Sequence, residues 1–204
     1  MRLLFVAALF VVLAPLLAAP TTAQFFPGVS DARYVSPRFG YALSWDDTWR
    51  LDRSISRPGF DGLVLSNGVS DVVLTATTGF AGTTGFIATP EQCVQQSLAA
   101  LVRRPGTQPV PLQDEAGMPR QGSEPDLFWM EVGFAAADGA PMNAYVSCRG
   151  LGLSNGAMQT FIHLAPALDY DAEVLTVDAL LDGYEAPRLD LDQLDQGAGP
   201  IPAP

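Results

Sequence analysis

The sequence contains no lysine, a single histidine and only two cysteines. So few nitrogen and sulfur ligands exclude a zinc or iron–sulfur site of the usual type. All 11 basic residues are arginines, and they are opposed by 22 carboxylates, which gives a formal net charge of −11. This balance argues against nucleic acid and anionic membranes as partners, because both require basic protein surface.

Charged residues are also scarce, at 16% of the 204 residues, whereas hydrophobic residues make up 48%. This is enough apolar material for the core of one domain, so wholesale disorder is excluded. The 19 glycines and 17 prolines favour short elements and many turns over long helices.

The N-terminus has the layout of a secretory signal peptide. Arg2 supplies one positive charge, and an apolar run occupies residues 3–19. Thr21 and Ala23 fit positions −3 and −1 of a cleavage site, so residues 1–23 are predicted to be removed. An uncleaved anchor is the alternative, although the run is at the short limit for spanning a bilayer. We therefore expect a secreted or cell-envelope protein without a transmembrane segment in the mature chain.

The mature chain is predicted to contain one folded domain, residues 33–184. Residues 24–32 precede it as a flexible N-terminal segment. Residues 185–204 are acidic and end in a Pro/Gly-rich stretch, which is typical of a disordered tail.

Alternation of apolar residues with period two predicts that most of the domain is β-strand. Bulky and small residues alternate over 39–45, and the apolar runs 62–65 and 69–77 flank an Asn-Gly hairpin turn at Asn67. Further alternating runs predict strands at 127–137, 142–151 and 158–165.

Two helices are predicted among these strands. The first begins at Pro90, where Thr89 is the N-cap and Gln92 completes a capping box. The second covers about 171–182, with Leu181 on its apolar face. The order of strands, helix, strands and helix predicts an α+β fold, with a mostly antiparallel β-sheet flanked by two helices.

The start of the domain resembles the PsbP-like family. The resemblance is carried by the run from Tyr34 to Trp45 (YVSPRFGYALSW), by Trp49, and by the order of elements over about 33–184. It implies an α/β/α sandwich, the fold of photosystem II extrinsic subunits and of many exported bacterial proteins of unknown function. The photosynthetic members act by docking onto a larger assembly. This chain departs from them in its single histidine and lack of lysine, and no binding residue is carried over.

The two cysteines, Cys93 and Cys148, occupy positions that allow a disulfide. Cys93 lies beside the apolar stripe of the first helix. Cys148 alternates in step with the apolar residues of its strand, which are predicted to face the core. Two cysteines in an exported protein usually pair. Two buried free thiols are the alternative.

The segment 152–156 matches G-x-S-x-G, in which Ser154 would be the nucleophile of a strand-to-helix elbow. The residues that follow alternate as a strand rather than a helix, so Ser154 is interpreted as a turn residue. His163 is interpreted as a structural or half-exposed strand residue, because no partner for a general base is identifiable.

Two further patterns are interpreted as loop and tail rather than as sites. The glycines of 79–85 precede a helix but lack the lysine and spacing of a phosphate-binding loop. Asp190, Asp192 and Asp195 lack the glycine and glutamate of a Ca²⁺-binding EF-hand loop. We therefore predict no catalytic, cofactor-binding or metal-binding residue.

These observations favour a non-enzymatic binding or assembly domain whose partner is a protein or another envelope component. Two alternatives remain open. One is a small secreted hydrolase whose catalytic carboxylates the sequence does not identify, and the other is a self-associating structural surface subunit.

The exported protein is expected to begin at Gln24, because Ala23 occupies position −1 of the cleavage site. Intact-mass measurement and N-terminal sequencing of the exported protein check this. A protein that keeps Met1 and sediments with the membrane fraction would identify the apolar run as an anchor instead.

Overall fold

The computed structural model describes residues 29–30, 32–78, 89–102, 108–152 and 156–187. Several of the segments discussed above lie outside the described residues. They are the predicted signal peptide 1–23, the glycine-rich segment 79–85, Ser154, and the aspartates of the tail.

The larger of two sheets has eight strands, and every pairing in it is antiparallel. In spatial order its strands are β4 (Arg50–Arg57), β5 (Phe60–Ser66), β6 (Asp71–Thr77), β11 (Met158–Pro166), β10 (Pro141–Gly150), β9 (Leu127–Ala135) and β7 (Val110–Pro111), with β8 (Gln121–Glu124) also paired to β9.

The smaller sheet is antiparallel as well, and two helices complete the fold. The strands of this sheet, in spatial order, are β1 (Val29–Ser30), β2 (Arg33–Val35), β3 (Ala42–Ser44) and β12 (Tyr184–Glu185). The helices are α1 (Pro90–Leu101) and α2 (Tyr170–Leu181). The predicted α+β class, with a mostly antiparallel sheet and two helices, is confirmed.

One face of the larger sheet is covered by α1, which contacts β9, β10 and β11. As predicted, Thr89 is the N-cap, and its side chain accepts a hydrogen bond from the backbone N–H of Gln92. Cys93, Val94 and Leu98 are buried against the sheet. Cys93 forms a disulfide with Cys148 of β10, with a Cα–Cα distance of 6.0 Å.

The opposite face is covered by the smaller sheet and by α2. Their buried side chains form one core with the inward residues of β5 and β6. The members from the smaller sheet, the adjoining loops and α2 are Tyr34, Phe39, Tyr41, Leu43, Trp49, Val177 and Leu180. The second core, under α1, is separate, so the larger sheet lies between two apolar layers.

A buried carboxylate attaches the smaller sheet to the larger one. Asp61 of β5 is fully buried, and its oxygens accept hydrogen bonds from the Ser36 hydroxyl at 2.7 Å, the Arg38 backbone N–H at 2.8 Å and the Ser56 hydroxyl at 2.6 Å. A buried carboxylate is tolerated only when its oxygens are satisfied in this way. These hydrogen bonds hold residues 37–39 in a turn. Phe39 therefore reaches the core from a turn and not from a strand.

Three details of the sequence prediction are wrong. The strand expected over 39–45 is only β3, because the Asp61 network holds the preceding residues in a turn. In α2, Leu180 is buried and Leu181 is exposed, because the helix begins at Tyr170, which packs inward. The residues Val29 and Ser30, expected to be flexible, pair with β2.

Two contacts fix the position of α2 on the sheet. Near its N-terminus, Glu173 accepts hydrogen bonds from the Asn67 amide at 2.6 Å and the Ser70 hydroxyl at 2.9 Å, both in the β5–β6 hairpin turn. Past its C-terminus, Gly183 lies so close to Ser44 that a Cβ would collide with the Ser44 carbonyl oxygen. Only glycine permits this close approach of α2 and β3.

We expect reduction of the disulfide to lower the free energy of unfolding by about 4 kcal/mol, because the bond closes a loop that restricts the unfolded chain. Urea unfolding with and without reductant measures the difference. A Cys93→Ala/Cys148→Ala variant is the control, since reductant should not affect it. Two thiols that alkylate freely in the native exported protein would contradict the expectation.

Candidate functional site

The candidate site is a groove on the side of the larger sheet that carries α2. It consists of two adjoining hollows, of about 220 Å³ and about 240 Å³, which share Tyr145, Phe161 and Leu181. The smaller sheet and α2 cover the β4–β11 side of this face, so the side chains of β9 and β10 remain accessible beside the helix.

The register of the ladder decides which side chains form the floor. Tyr145 of β10 pairs with Glu131 of β9 and with His163 of β11, and Ser147 pairs with Trp129 and Phe161. Residues that pair across strands point to the same face of a sheet. These side chains therefore lie side by side and face α2.

The floor of the groove is aromatic. Tyr145 stacks on Trp129 with a centroid distance of 5.8 Å and meets Phe161 edge-on at 6.1 Å. The indole of Trp129 lies against β8 at Gly122, where a Cβ would come within 2.5 Å of the indole nitrogen. Gly122 is therefore needed for this orientation of the tryptophan.

The first half of the groove contains His163, which is only 2% exposed and stacks on Tyr170 with a centroid distance of 5.2 Å. Its Nε2 has no hydrogen-bond partner in the described part of the chain. Burial lowers its pKa, so the imidazole is neutral at pH 7. The expectation of a half-exposed side chain is wrong, because Tyr170 of α2 lies against the ring and buries it.

Glu131 lines the same half, on the other side of Tyr145 from His163. Its Oε2 accepts a hydrogen bond from the Tyr170 hydroxyl at 3.1 Å and pairs with Nη2 of Arg120 at 2.9 Å. Burial raises the pKa of this carboxyl, while the Arg120 guanidinium and the Tyr170 hydroxyl oppose the rise. Arg120 also lies 3.6 Å from Asp171 of α2. The cluster ties the start of α2 to β9.

The second half contains Gln159, which is 6% exposed. Its Oε1 accepts a hydrogen bond from the Tyr184 hydroxyl at 2.6 Å, and its Nε2 has no partner among the described residues. Arg149 lines the same hollow, is exposed, and forms no ion pair with any described residue. Among the described residues, this half therefore offers two donors without a partner, an amide and a guanidinium, beside an aromatic surface.

The residues singled out from the sequence lie elsewhere, except for His163. The disulfide is on the opposite face of the sheet, under α1. Gly156 has the positive φ expected of the turn, at 64°, and β11 follows it as a strand, so no strand-to-helix elbow occurs there. The sequence analysis did not identify Gln159 and Arg149 as candidate site residues. The alternation of their strands already indicated that both side chains point away from the core under α1.

Two general findings concern metals and membranes. Across residues 29–187, leaving out the undescribed gaps, no three His, Cys, Asp or Glu side chains are grouped as metal ligands. Neither α1 nor α2 is long and apolar enough to cross a membrane.

The sequence matches no family model and no curated protein. Among solved structures, the chain is similar to the cyanobacterial PsbP protein (CyanoP) from Synechocystis sp. PCC 6803, with 15% identity, a TM-score of 0.45, and coverage of 80% of this chain and 98% of that one. It is also similar to a mutant of the protein Mog1, with 9% identity, a TM-score of 0.45, and coverage of 74% and 93%. No functional residue is carried over from either structure.

We expect His163 and Glu131 to give opposite contributions to the pH dependence of stability. The unfolded chain protonates histidine below about pH 6.5, whereas buried His163 resists protonation, so it makes stability fall as the pH drops. Glu131, with its raised pKa, takes up a proton in the folded state first, so it stabilises the fold as the pH drops toward 4.5.

Urea unfolding at pH 7 and pH 5 tests both contributions. His163→Phe, which keeps the stacking on Tyr170, should lose less stability than the native protein between these pH values. Glu131→Gln should lose more. Equal losses in all three proteins would show that neither group titrates differently on folding.

Proposed function

We propose that this protein is a non-enzymatic binding domain that holds a segment of a partner protein in the groove beside α2. The observation that carries the proposal is the pair of buried polar atoms in the groove, Nε2 of Gln159 and Nε2 of His163, which lack partners in the described residues. Buried polar atoms are nearly always hydrogen-bonded, so an unpartnered one in a groove indicates a place for a ligand atom.

The groove favours a segment that combines an apolar side chain with a carbonyl or carboxylate oxygen. Tyr145 and Phe161 offer aromatic surface to the apolar group. The Gln159 amide and the Arg149 guanidinium offer donors to the oxygen, and Arg149 carries a positive charge that no described carboxylate neutralises. Aromatic anchors with arginine beside them are the residues that dominate the energy of protein interfaces.

The proposed location is outside the cytoplasm, in the secreted or cell-envelope fraction. The Cys93–Cys148 disulfide and the absence of a membrane-spanning helix among the described residues are consistent with an extracellular location. The predicted signal peptide at 1–23 supports the proposal independently, because export leads to the oxidising compartments in which disulfides persist.

The hydrolase alternative rests on Glu131. A carboxyl with a raised pKa in a groove has the character of a general acid. However, the same oxygen of Glu131 already accepts a hydrogen bond from the Tyr170 hydroxyl and pairs with the Arg120 guanidinium. Such an arrangement is typical of a carboxylate that holds neighbouring side chains in place. We therefore favour binding, and the experiment below includes a test for turnover.

Selection of a displayed random-peptide library on the mature protein tests the proposal. We expect enriched peptides with an acidic residue next to an apolar one. Their affinity should fall about tenfold with Arg149→Gln and with Gln159→Leu, since each removes a donor to the bound oxygen. Gln95→Glu on the exposed side of α1 changes the net charge as Arg149→Gln does and should leave the affinity unchanged.

Three outcomes would overturn the proposal. One is a library without binders, and another is a set of peptides that bind all variants equally. The third is turnover of an ester, glycoside or peptide substrate that Glu131→Gln abolishes, which would make the protein a hydrolase.

A further inference from the structure

The two donors in the second half of the groove lie directly beside each other. Arg149 of β10 and Gln159 of β11 are cross-strand partners in the ladder, so their side chains leave the sheet next to each other on the face that carries α2. Residues directly opposite each other in an antiparallel pair have Cβ atoms about 5 Å apart. A guanidinium and an amide at this spacing match the two oxygens of a single carboxylate.

Among the described residues, neither donor has a partner that would compete with a ligand. The buried Gln159 amide is held through its oxygen, which accepts the Tyr184 hydroxyl at 2.6 Å, while its Nε2 is unpartnered. Arg149 forms no ion pair with a described residue. Burial raises the pKa of Tyr184, and the Gln159 side chain and the Arg149 charge oppose the rise, so the guanidinium lies near the same hydroxyl.

An apolar hollow adjoins these donors one row further along the strands. Ser147 occupies this row of β10, between its partners Trp129 and Phe161, and its small side chain leaves space that larger neighbours surround. The apolar walls are formed by Leu74, Leu127, Phe161 and Leu181. The volume of about 240 Å³ is less than the roughly 300 Å³ at which pockets for drug-sized ligands begin, so it suits one apolar side chain with its carboxylate.

The strands under the groove are paired on both sides. β10 lies between β9 and β11, β11 lies between β10 and β6, and β9 lies between β10 and the strands β7 and β8. A bound segment therefore gains no ladder hydrogen bonds here, and each peptide group that it buries needs a side chain or water as partner. An internal segment passes the donors in both directions. A chain end arrives from one direction only, buries fewer peptide groups, and carries its carboxylate beside its last side chain.

We propose that the second half of the groove binds the C-terminal residue of a partner polypeptide, an apolar residue with a free carboxylate. This proposal rests on the binding function proposed above and names the part of the partner that is bound. The carboxylate lies between Arg149 and Gln159, and the last side chain fills the hollow over Ser147. Capture of a chain end through its carboxylate is a recurring mode of peptide recognition.

The position of His163 favours a polypeptide over a free carboxylic acid. Its buried Nε2, which has no partner among the described residues, lies in the first half of the groove. Gln159 and His163 are four residues apart on β11, a distance of about 13 Å along an extended strand. A small acid held at Gln159 does not reach this nitrogen. The residues that precede a C-terminus extend along the groove and offer it a polar backbone atom.

Selection from two displayed random-peptide libraries tests the proposal on the mature protein. In one library the peptides end in a free C-terminus, and in the other their C-terminus is joined to the display protein. We expect the free library to enrich peptides that end in an apolar residue. Amidation of the C-terminus of these peptides should weaken their binding about tenfold or more, because the charge-assisted hydrogen bonds to Arg149 are lost.

Two variants assign the preference for a free carboxylate to this site. Arg149→Gln should abolish it, so that an enriched peptide and its amide bind with the same affinity. The matched control is Arg50→Gln on β4, where the side chain is exposed and does not line the groove. It removes the same charge and should keep the difference between peptide and amide. A difference that survives in Arg149→Gln would contradict the assignment.

Three further results would overturn the proposal, and they differ in what they leave standing. Enriched peptides that bind equally well after amidation would show that the groove holds an internal segment, which leaves the proposed binding function intact. N-acetylphenylalanine that binds as tightly as the enriched peptides would show that the ligand is a small carboxylic acid. Failure of both libraries to give binders would overturn the proposed function as well.

Discussion

The register of the antiparallel ladder from β6 through β11 and β10 to β9 is the constraint on which both faces of this protein depend. His163, Tyr145 and Glu131 form one continuous cross-strand row, and a shift of one residue would turn each of them to the opposite face. The same register sends Met130 and Val146 toward α1. Because one face must bury the disulfide and the other must receive α2, the ladder has a single acceptable alignment.

Among the described residues, α2 and the smaller sheet cover their face of the larger sheet incompletely, and this creates the groove beside α2. Each helix has only 12 residues, whereas the path of paired strands from β4 to β7 is seven strands wide. α2 is held by Glu173 and by the close approach of Gly183 to Ser44, and in this position it leaves Tyr145 partly accessible. On the other face, the Cys93–Cys148 bond holds α1 over β10.

The parts of the fold that local chemistry controls could be predicted from the sequence. The cap at Thr89, the hairpin turn at Asn67 and the strand after Gly156 depend on a few neighbouring residues, and each was predicted correctly. Predictions that needed distant residues were wrong. The turn containing Phe39 depends on Asp61, and the inward face of α2 depends on what Tyr170 packs against, which no local pattern contains.

The amino-acid sequence alone determined the α+β class and the number of helices, because periodicity and capping are properties of short segments. For the two cysteines it favoured a disulfide but left two free thiols as the alternative, and the tertiary structure shows the bond. Only the tertiary structure decided which polar side chains lack partners. Gln159 and His163 have the alternation of ordinary strand residues, and their free nitrogens result from the position of α2 and Tyr184 above them. Burial and strand pairing join residues far apart in the chain, and the sequence pattern does not record which ones meet.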